Sequence, residues 1–128
     1  MPGYELIGKE EKNQINDIFD NGGGILFRHG FDNLRNSSFK VLEFEKSFCK
    51  YFKTDYSLAV TSGTAALRVA LATLNLKSDD EVITQSFTFV ATVEAIIESG
   101  AKPVCTQINE TLNMDPDDLV KRITKKTK

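Results

Sequence analysis

Apolar positions recur at helical spacing in the first fifty residues, then shift to short runs separated by turn residues. Ile15, Ile18 and Phe19 share one face among charged neighbours, which predicts a helix over residues 9–20. Asn21-Gly22-Gly23-Gly24 should end it, because glycine accepts a left-handed exit. Residues 25–37 read as a loop whose large apolar side chains call for a packing partner. A second helix is predicted over 39–53, capped by Ser37 or Ser38, with Leu42, Phe48, Cys49 and Phe52 on its buried face.

From about residue 55 strands and helices alternate. Residues 57–61 read as a strand, Ser62-Gly63-Thr64 as a turn and 65–76 as an Ala/Leu-rich helix. Residues 81–84 form the next predicted strand, and 88–99 a helix closed by Gly100. Residues 102–108 form a third strand. Asp115-Pro116 opens a last helix, with Pro116 where a missing N–H costs nothing. Such alternation implies crossover connections, and therefore an α/β fold with a parallel-rich sheet and flanking helices. The chain divides into a helical N-terminal arm, 1–55, and an α/β body, 56–128.

Composition changes this picture little. The 128 residues are 41 % hydrophobic and 27 % charged, with a net charge of −2, as expected of a globular domain. Charge placement is more informative. Residues 121–128 hold five basic side chains and no acid, leaving 11 basic against 18 acidic residues in the rest. An acidic body argues against nucleic acid as the partner. The basic end reads as an interaction arm or as the solvated end of a helix. No apolar run is long enough to span a bilayer. The start, Met1-Pro2-Gly3-Tyr4-Glu5-Leu6, has no basic region followed by an apolar stretch, so a cytoplasmic protein is expected. Cys49 and Cys105 lie in unlike contexts and, with the single His29, lack metal-ligand spacing. They read as reduced, partly buried thiols, and no metal is expected.

The candidate chemistry lies in two strand-to-helix turns. Leu58-Ala59-Val60-Thr61-Ser62-Gly63-Thr64-Ala65-Ala66-Leu67 places free N–H groups and two hydroxyls at a helix start, beyond a strand's carboxyl end. That arrangement suits an anion, although Thr64 can equally be a simple cap. Gly22-Gly23-Gly24 follows a helix, which disfavours a dinucleotide fingerprint, and no P-loop pattern occurs. Thr84-Gln85-Ser86-Phe87-Thr88-Phe89-Val90-Ala91-Thr92 repeats the strand-to-helix arrangement. Phe87 and Phe89 are either two core residues or include one ring that faces a planar ligand. Together, an anion cradle and an aromatic face suit a flat ring that carries a phosphate, such as pyridoxal phosphate or a nucleotide.

Five stretches in order carry a resemblance. They are Gly3-Tyr4-Glu5-Leu6-Ile7-Gly8, residues 58–67, Asp80-Glu81-Val82-Ile83-Thr84, residues 86–92, and the run from Ile108 to Asp115-Pro116. The chain resembles the N-terminal part of the pyridoxal-phosphate-dependent sugar aminotransferases of the DegT/StrS type. The resemblance implies part of a fold-type-I aminotransferase large domain. It assigns Gly63, Thr64 and Ala65 to the cofactor phosphate and Phe89 to stacking on the pyridine ring. Leu26-Phe27-Arg28-His29-Gly30-Phe31-Asp32, with Arg35, is similar to the branch acting on an aminated eight-carbon sugar acid. In the family, the lysine that forms a Schiff base with the cofactor, and the acid on the pyridine nitrogen, lie downstream. No catalytic residue is therefore assigned within these 128, and Lys77, Lys102 and Lys121 read as solvated. The basic end reads as the lead-in to a further buried strand.

By the same resemblance, the parent enzyme moves an amino group, from glutamate, to a keto-sugar or sugar nucleotide for polysaccharide or antibiotic sugars. It would be a homodimer with its site between subunits. The fragment alone would be inactive and prone to self-association through an exposed sheet edge. Two alternatives stay open: a dehydratase of the same family, in which the lysine is replaced, and a non-catalytic interaction or nucleotide-binding module.

Overall fold

A computed structural model describes residues 3–22, 33–35 and 38–128. The chain forms two compact units, 1–59 and 60–128.

In the first unit, a short 3-10 turn, Tyr4–Leu6, precedes helix α1, Lys9–Asp20. Glu11 begins α1 by accepting the Gly8 backbone N–H at 2.7 Å, which holds its carboxyl below the ordinary glutamate range. At the other end Asn21 keeps a right-handed conformation and bonds back to Asp17 and Ile18. The glycines expected to turn the chain, Gly23 and Gly24, lie outside the described residues, as does most of the predicted loop. Within that loop, Asn33–Arg35 forms a 3-10 turn.

Helix α2, Lys40–Phe52, begins one residue later than predicted. Phe39 is the N-cap, and Ser38, one of the two expected caps, donates its hydroxyl to the Glu43 carboxylate at 3.1 Å instead; the other, Ser37, lies outside the described residues. Lys53, in the left-handed region at φ 55°, closes the helix. The predicted apolar faces remain largely open. Ile15 and Phe19 on α1 are exposed, and Phe44, Phe48 and Phe52 line up on α2 with ring centroids 5.9 and 4.4 Å apart. Spacing put these side chains on one face, but burial needs a second surface. Among the described residues of this unit, Phe39 is the buried hydrophobic one.

Residues 57–61, predicted as a strand, pair with no strand among the described residues. Glu45 of α2 takes their polar groups. Its carboxylate accepts the Ala59 N–H at 2.8 Å, and its backbone carbonyl accepts the Ser57 hydroxyl at 3.0 Å. An extended segment becomes a strand only with a ladder partner, and here the bonds go to a helix.

The second unit holds α3, Gly63–Ala72; β1, Glu81–Gln85; α4, Val90–Glu98; β2, Lys102–Thr106; and α5, Pro116–Arg122. The strands are parallel, in register from Glu81 opposite Lys102 to Gln85 opposite Thr106, with α4 as the crossover. The parallel α/β expectation therefore holds, and several boundaries move inward. Helix α3 stops at Ala72, with Asn75 left-handed at φ 50°, rather than running to Leu76. Strand β2 ends at Thr106, since Ile108 turns to bridge Met114 in antiparallel sense. Gly100 closes α4 at φ 89°, where a side chain would be strained. Pro116 opens α5, and the Asp115 side chain accepts the Asp117 N–H at 2.9 Å.

Helix α4 packs on both strands and on α3, while α5 packs on β2. The core of this unit is Ala91, Ala95, Ile96 and Ala101, with buried Thr84 and Thr106. Small residues on α4 let it lie close to the sheet. The basic end is engaged. Glu81 donates its N–H to the Lys126 carbonyl at 2.8 Å and accepts the Lys128 N–H at 3.0 Å, and Thr127 bridges Glu81 in parallel. Residues 126–128 thus lie along the start of β1 on the edge away from β2, so the basic end is bound to the sheet and is not a free arm.

Candidate functional site

Ser62, extended at φ −163° and ψ 163°, caps α3. Its hydroxyl accepts the Ala65 N–H at 3.1 Å, and its carbonyl accepts the Ala66 N–H at 3.0 Å. The cap is therefore Ser62 and not Thr64. The local signal was present, since a serine three residues before a helical N–H is a common cap. Ala65 has spent its N–H on Ser62. The N–H groups of Gly63 and Thr64 have no acceptor among the described residues. A Cβ placed on Gly63 would meet no heavy atom within 4 Å, so the space beside those donors is open.

Beyond the end of α3, Leu74, Asn75, Leu76 and Lys77 line a cleft with Asp80 and Lys128, beside the start of β1. Helix α3 packs on α4, which follows β1 directly and starts at the strand's carboxyl end.

Phe89 is the N-cap of α4 in extended conformation, and its side chain is 75 % exposed. Phe87 is 59 % exposed, so neither ring belongs to the core, and the alternative of two core phenylalanines falls. Both sit just beyond a short parallel strand, where hydrogen bonds continue for one more residue: Ser86 N–H donates to the Thr106 carbonyl at 3.0 Å. The Gln85 amide donates to the Phe87 carbonyl at 2.6 Å, and the Thr88 and Thr92 hydroxyls lie 3.1 Å apart. The Ser86 and Gln85 bonds hold the backbone before Phe89, and the hydroxyl pair links Thr88 to the first turn of α4.

A second contact missed from sequence links the two helices. Arg68 of α3 grips Glu98 of α4 with both forks, Nη2 to Oε1 at 2.6 Å and Nε to Oε2. At the opposite end of the sheet, Lys102 pairs with Asp79 at 3.0 Å and Lys77 donates to Asn75 at 3.2 Å. Both lysines, like Lys121, are exposed, and Lys102 lies at the start of the strands, away from Phe89, which follows the end of β1.

Asp118 of α5 accepts the Gln107 N–H at 2.8 Å and Arg122 Nε at 3.2 Å. The Gln107 bond is the main reason its carboxyl titrates below the ordinary range. This contact anchors α5 to the end of β2. Of the two thiols, Cys49 is half-buried and Cys105 is exposed, rather than both being partly buried. Among the described residues no three metal-ligating side chains cluster, and no helix is long and apolar enough to cross a membrane. Residues 26–32, which carry Arg28 and His29, lie outside the described residues.

A parallel strand pair joined by a helical crossover and flanked by further helices defines an α/β protein. Comparison with known proteins narrows the class. Residues 29–128 match the model of the DegT/DnrJ/EryC1/StrS aminotransferase family, and the chain belongs to that family. It is 35 % identical over 131 residues to GDP-perosamine synthase of Vibrio cholerae, spanning 100 % of this chain and 33 % of that protein. It is 36 % identical over 121 residues to UDP-2-acetamido-2-deoxy-3-oxo-D-glucuronate aminotransferase of Pseudomonas aeruginosa, spanning 94 % of this chain and 33 % of that one. Among solved structures, a putative sugar aminotransferase from Streptococcus pneumoniae, in its PLP-form, superposes with a TM-score of 0.81 at 31 % identity. The match covers 95 % of this chain and 29 % of that one. The chain thus spans about a third of the length of the curated relatives it matches. Its fold is the corresponding part of a fold-type-I sugar aminotransferase.

Proposed function

We propose that this chain supplies the phosphate and ring subsites of a pyridoxal-phosphate-dependent sugar aminotransferase. The observation that carries the reading is the pair of N–H groups on Gly63 and Thr64, unpartnered among the described residues and beside open space, on a helix that packs on α4, whose N-cap is the exposed Phe89. The fit to the cofactor is chemical. A phosphate is an anion that accepts several hydrogen bonds, and a helix start offers N–H donors with the positive end of the helix dipole. An exposed phenylalanine offers a flat apolar face to a pyridine ring. Gly63 and Thr64 would donate to the phosphate, Ala65 would hold the turn through Ser62, and Phe89 would stack.

When bound, pyridoxal phosphate supplies the electron sink of amino-group transfer. The residues seen here bind and orient; none is placed to move a proton. Lys102 lies at the start of the strands, away from Phe89, which supports the reading that the lysine bonded to the cofactor lies outside these 128 residues. We read the amino donor as glutamate, the acceptor as a keto-sugar or sugar nucleotide, the parent enzyme as a cytoplasmic homodimer, and the isolated chain as inactive. Relatives named for nucleotide-linked sugars support the acceptor class.

The test is calorimetric titration of the complete gene product with pyridoxamine 5′-phosphate and with pyridoxamine. Neither forms a covalent bond to a lysine. The phosphate should tighten binding by at least about tenfold, the worth of one charge-assisted hydrogen bond. Equal affinity for both refutes the cradle.

A further inference from the structure

The two proposed subsites sit on different helices. The phosphate donors belong to α3 and the stacking ring to α4, so a ligand that spans both depends on how the helices are offset. Helix α3 packs on α4. The residues of α4 buried deepest are Ala91, Ala95 and Ile96. Helix α3 has no fully buried residue to lock it in place.

One polar contact between the helices has directional geometry. Arg68 reaches from the middle of α3 to Glu98 at the end of α4, and both forks of the guanidinium meet both carboxylate oxygens. The partners are thirty residues apart in sequence, and each side chain is about half exposed, at 50 % and 49 %. A monodentate surface pair would tolerate sliding. A two-pronged pair fixes distance and angle together, because the planar fork matches only one placement of the carboxylate.

We propose that the Arg68–Glu98 pair is a positioning clamp that holds the Gly63–Thr64 donors at a fixed offset from the Phe89 ring. It acts through α3 and α4 and touches no ligand. The inference rests on the cofactor reading above. Its consequence is specific to two-headed ligands. A molecule carrying both phosphate and ring occupies both subsites only when their spacing matches, whereas a molecule with one group is indifferent to it.

The test uses the complete gene product and three probes in calorimetric titration: inorganic phosphate, pyridoxamine and pyridoxamine 5′-phosphate. Arg68→Ala should weaken pyridoxamine 5′-phosphate about fivefold, the upper range for an exposed ion pair, and change the other two by less than about twofold. Arg68→Lys should behave like Arg68→Ala, since lysine keeps the charge and loses the fork. The exchange Arg68→Glu with Glu98→Arg should restore most of the loss. A merely structural role would weaken all three probes alike, and that outcome overturns the clamp. Wild-type affinity for all three probes in Arg68→Ala overturns it as well. If the wild-type protein itself gains nothing from the phosphate, the cradle reading fails and the clamp falls with it. If the wild type gains and the variants keep that gain, the clamp alone fails.

Discussion

Replacing Gly63 by alanine separates folding from binding at the proposed cradle. In the free protein the new methyl group has room, as no heavy atom lies within 4 Å of it, and φ at Gly63 lies outside the left-handed region. The substitution also restricts the unfolded chain. Gly-to-Ala changes at compatible positions stabilise by about 0.4–1 kcal/mol, and the first helical position should fall at the lower end. Urea denaturation followed by circular dichroism should therefore show a midpoint equal to or slightly above wild type, with an unchanged slope. Binding should move the opposite way. The methyl group occupies the space beside the Gly63 and Thr64 donors, through which a phosphate would approach. Losing one hydrogen bond to a charged oxygen costs about 1.5–3 kcal/mol, or about tenfold to a hundredfold in affinity. Calorimetric titration with pyridoxamine 5′-phosphate should show that loss, and titration with pyridoxamine should not. Two results would refute the reasoning: unchanged affinity for the phosphate-bearing ligand, or a stability loss above about 1 kcal/mol, which would mean the space is not open.

Three further outcomes are expected. Phe89→Ala should lower affinity for pyridoxamine, while Phe87→Ala should not. Neither should change stability by more than about 0.5 kcal/mol, because both rings are exposed. Ile96→Ala should cost about 2–5 kcal/mol in urea denaturation, since Ile96 is 3 % exposed. Its neighbour Ile97, 58 % exposed, should cost far less when made alanine, and equal losses would contradict the assignment of the α4 inner face. Asp118→Asn tests the anchor of α5. A carboxyl whose pKa is lowered on folding adds stability above its unfolded value, near 3.9, and that stability fades as pH falls through the lower folded value. The wild-type advantage over Asp118→Asn should therefore be full at neutral pH and shrink below about pH 4. An advantage that stays constant to the acid limit would exclude the Gln107 and Arg122 bonds as its source.

Much of the architecture was legible from local signals because those signals act within a few residues. Helix α1 starts and stops where the pattern of Ile15, Ile18 and Phe19 places it. Gly100 adopts the left-handed turn that only glycine takes easily, and Asp115-Pro116 opens α5 as a cap followed by a ring with fixed φ. The order of strands and helices around β1, α4 and β2 followed from the change of period near residue 55, and it required a parallel pair. Recognition of the family rested on the same short stretches in sequence order.

Other features depended on groups far apart in the chain, and these needed the tertiary structure. Periodicity placed Phe48 and Phe52 on one face of α2, but a face is buried only if another surface meets it, and both rings are exposed. Residues 57–61 had strand-like composition, yet the Glu45 carboxylate and carbonyl took their hydrogen bonds. Charge alone left the basic end open between an arm and a solvated helix end, and only the structure shows its Lys126 carbonyl and Lys128 N–H paired with Glu81, 45 and 47 residues away in sequence. At the site, sequence alone named Gly63, Thr64, Ala65 and Phe89. The structure alone decided that Ser62 takes the Ala65 donor, that both phenylalanines stand outside the core, and that Arg68 reaches Glu98. Caps and turns are set by neighbours along the chain, whereas burial and pairing are set by what the folded chain brings alongside.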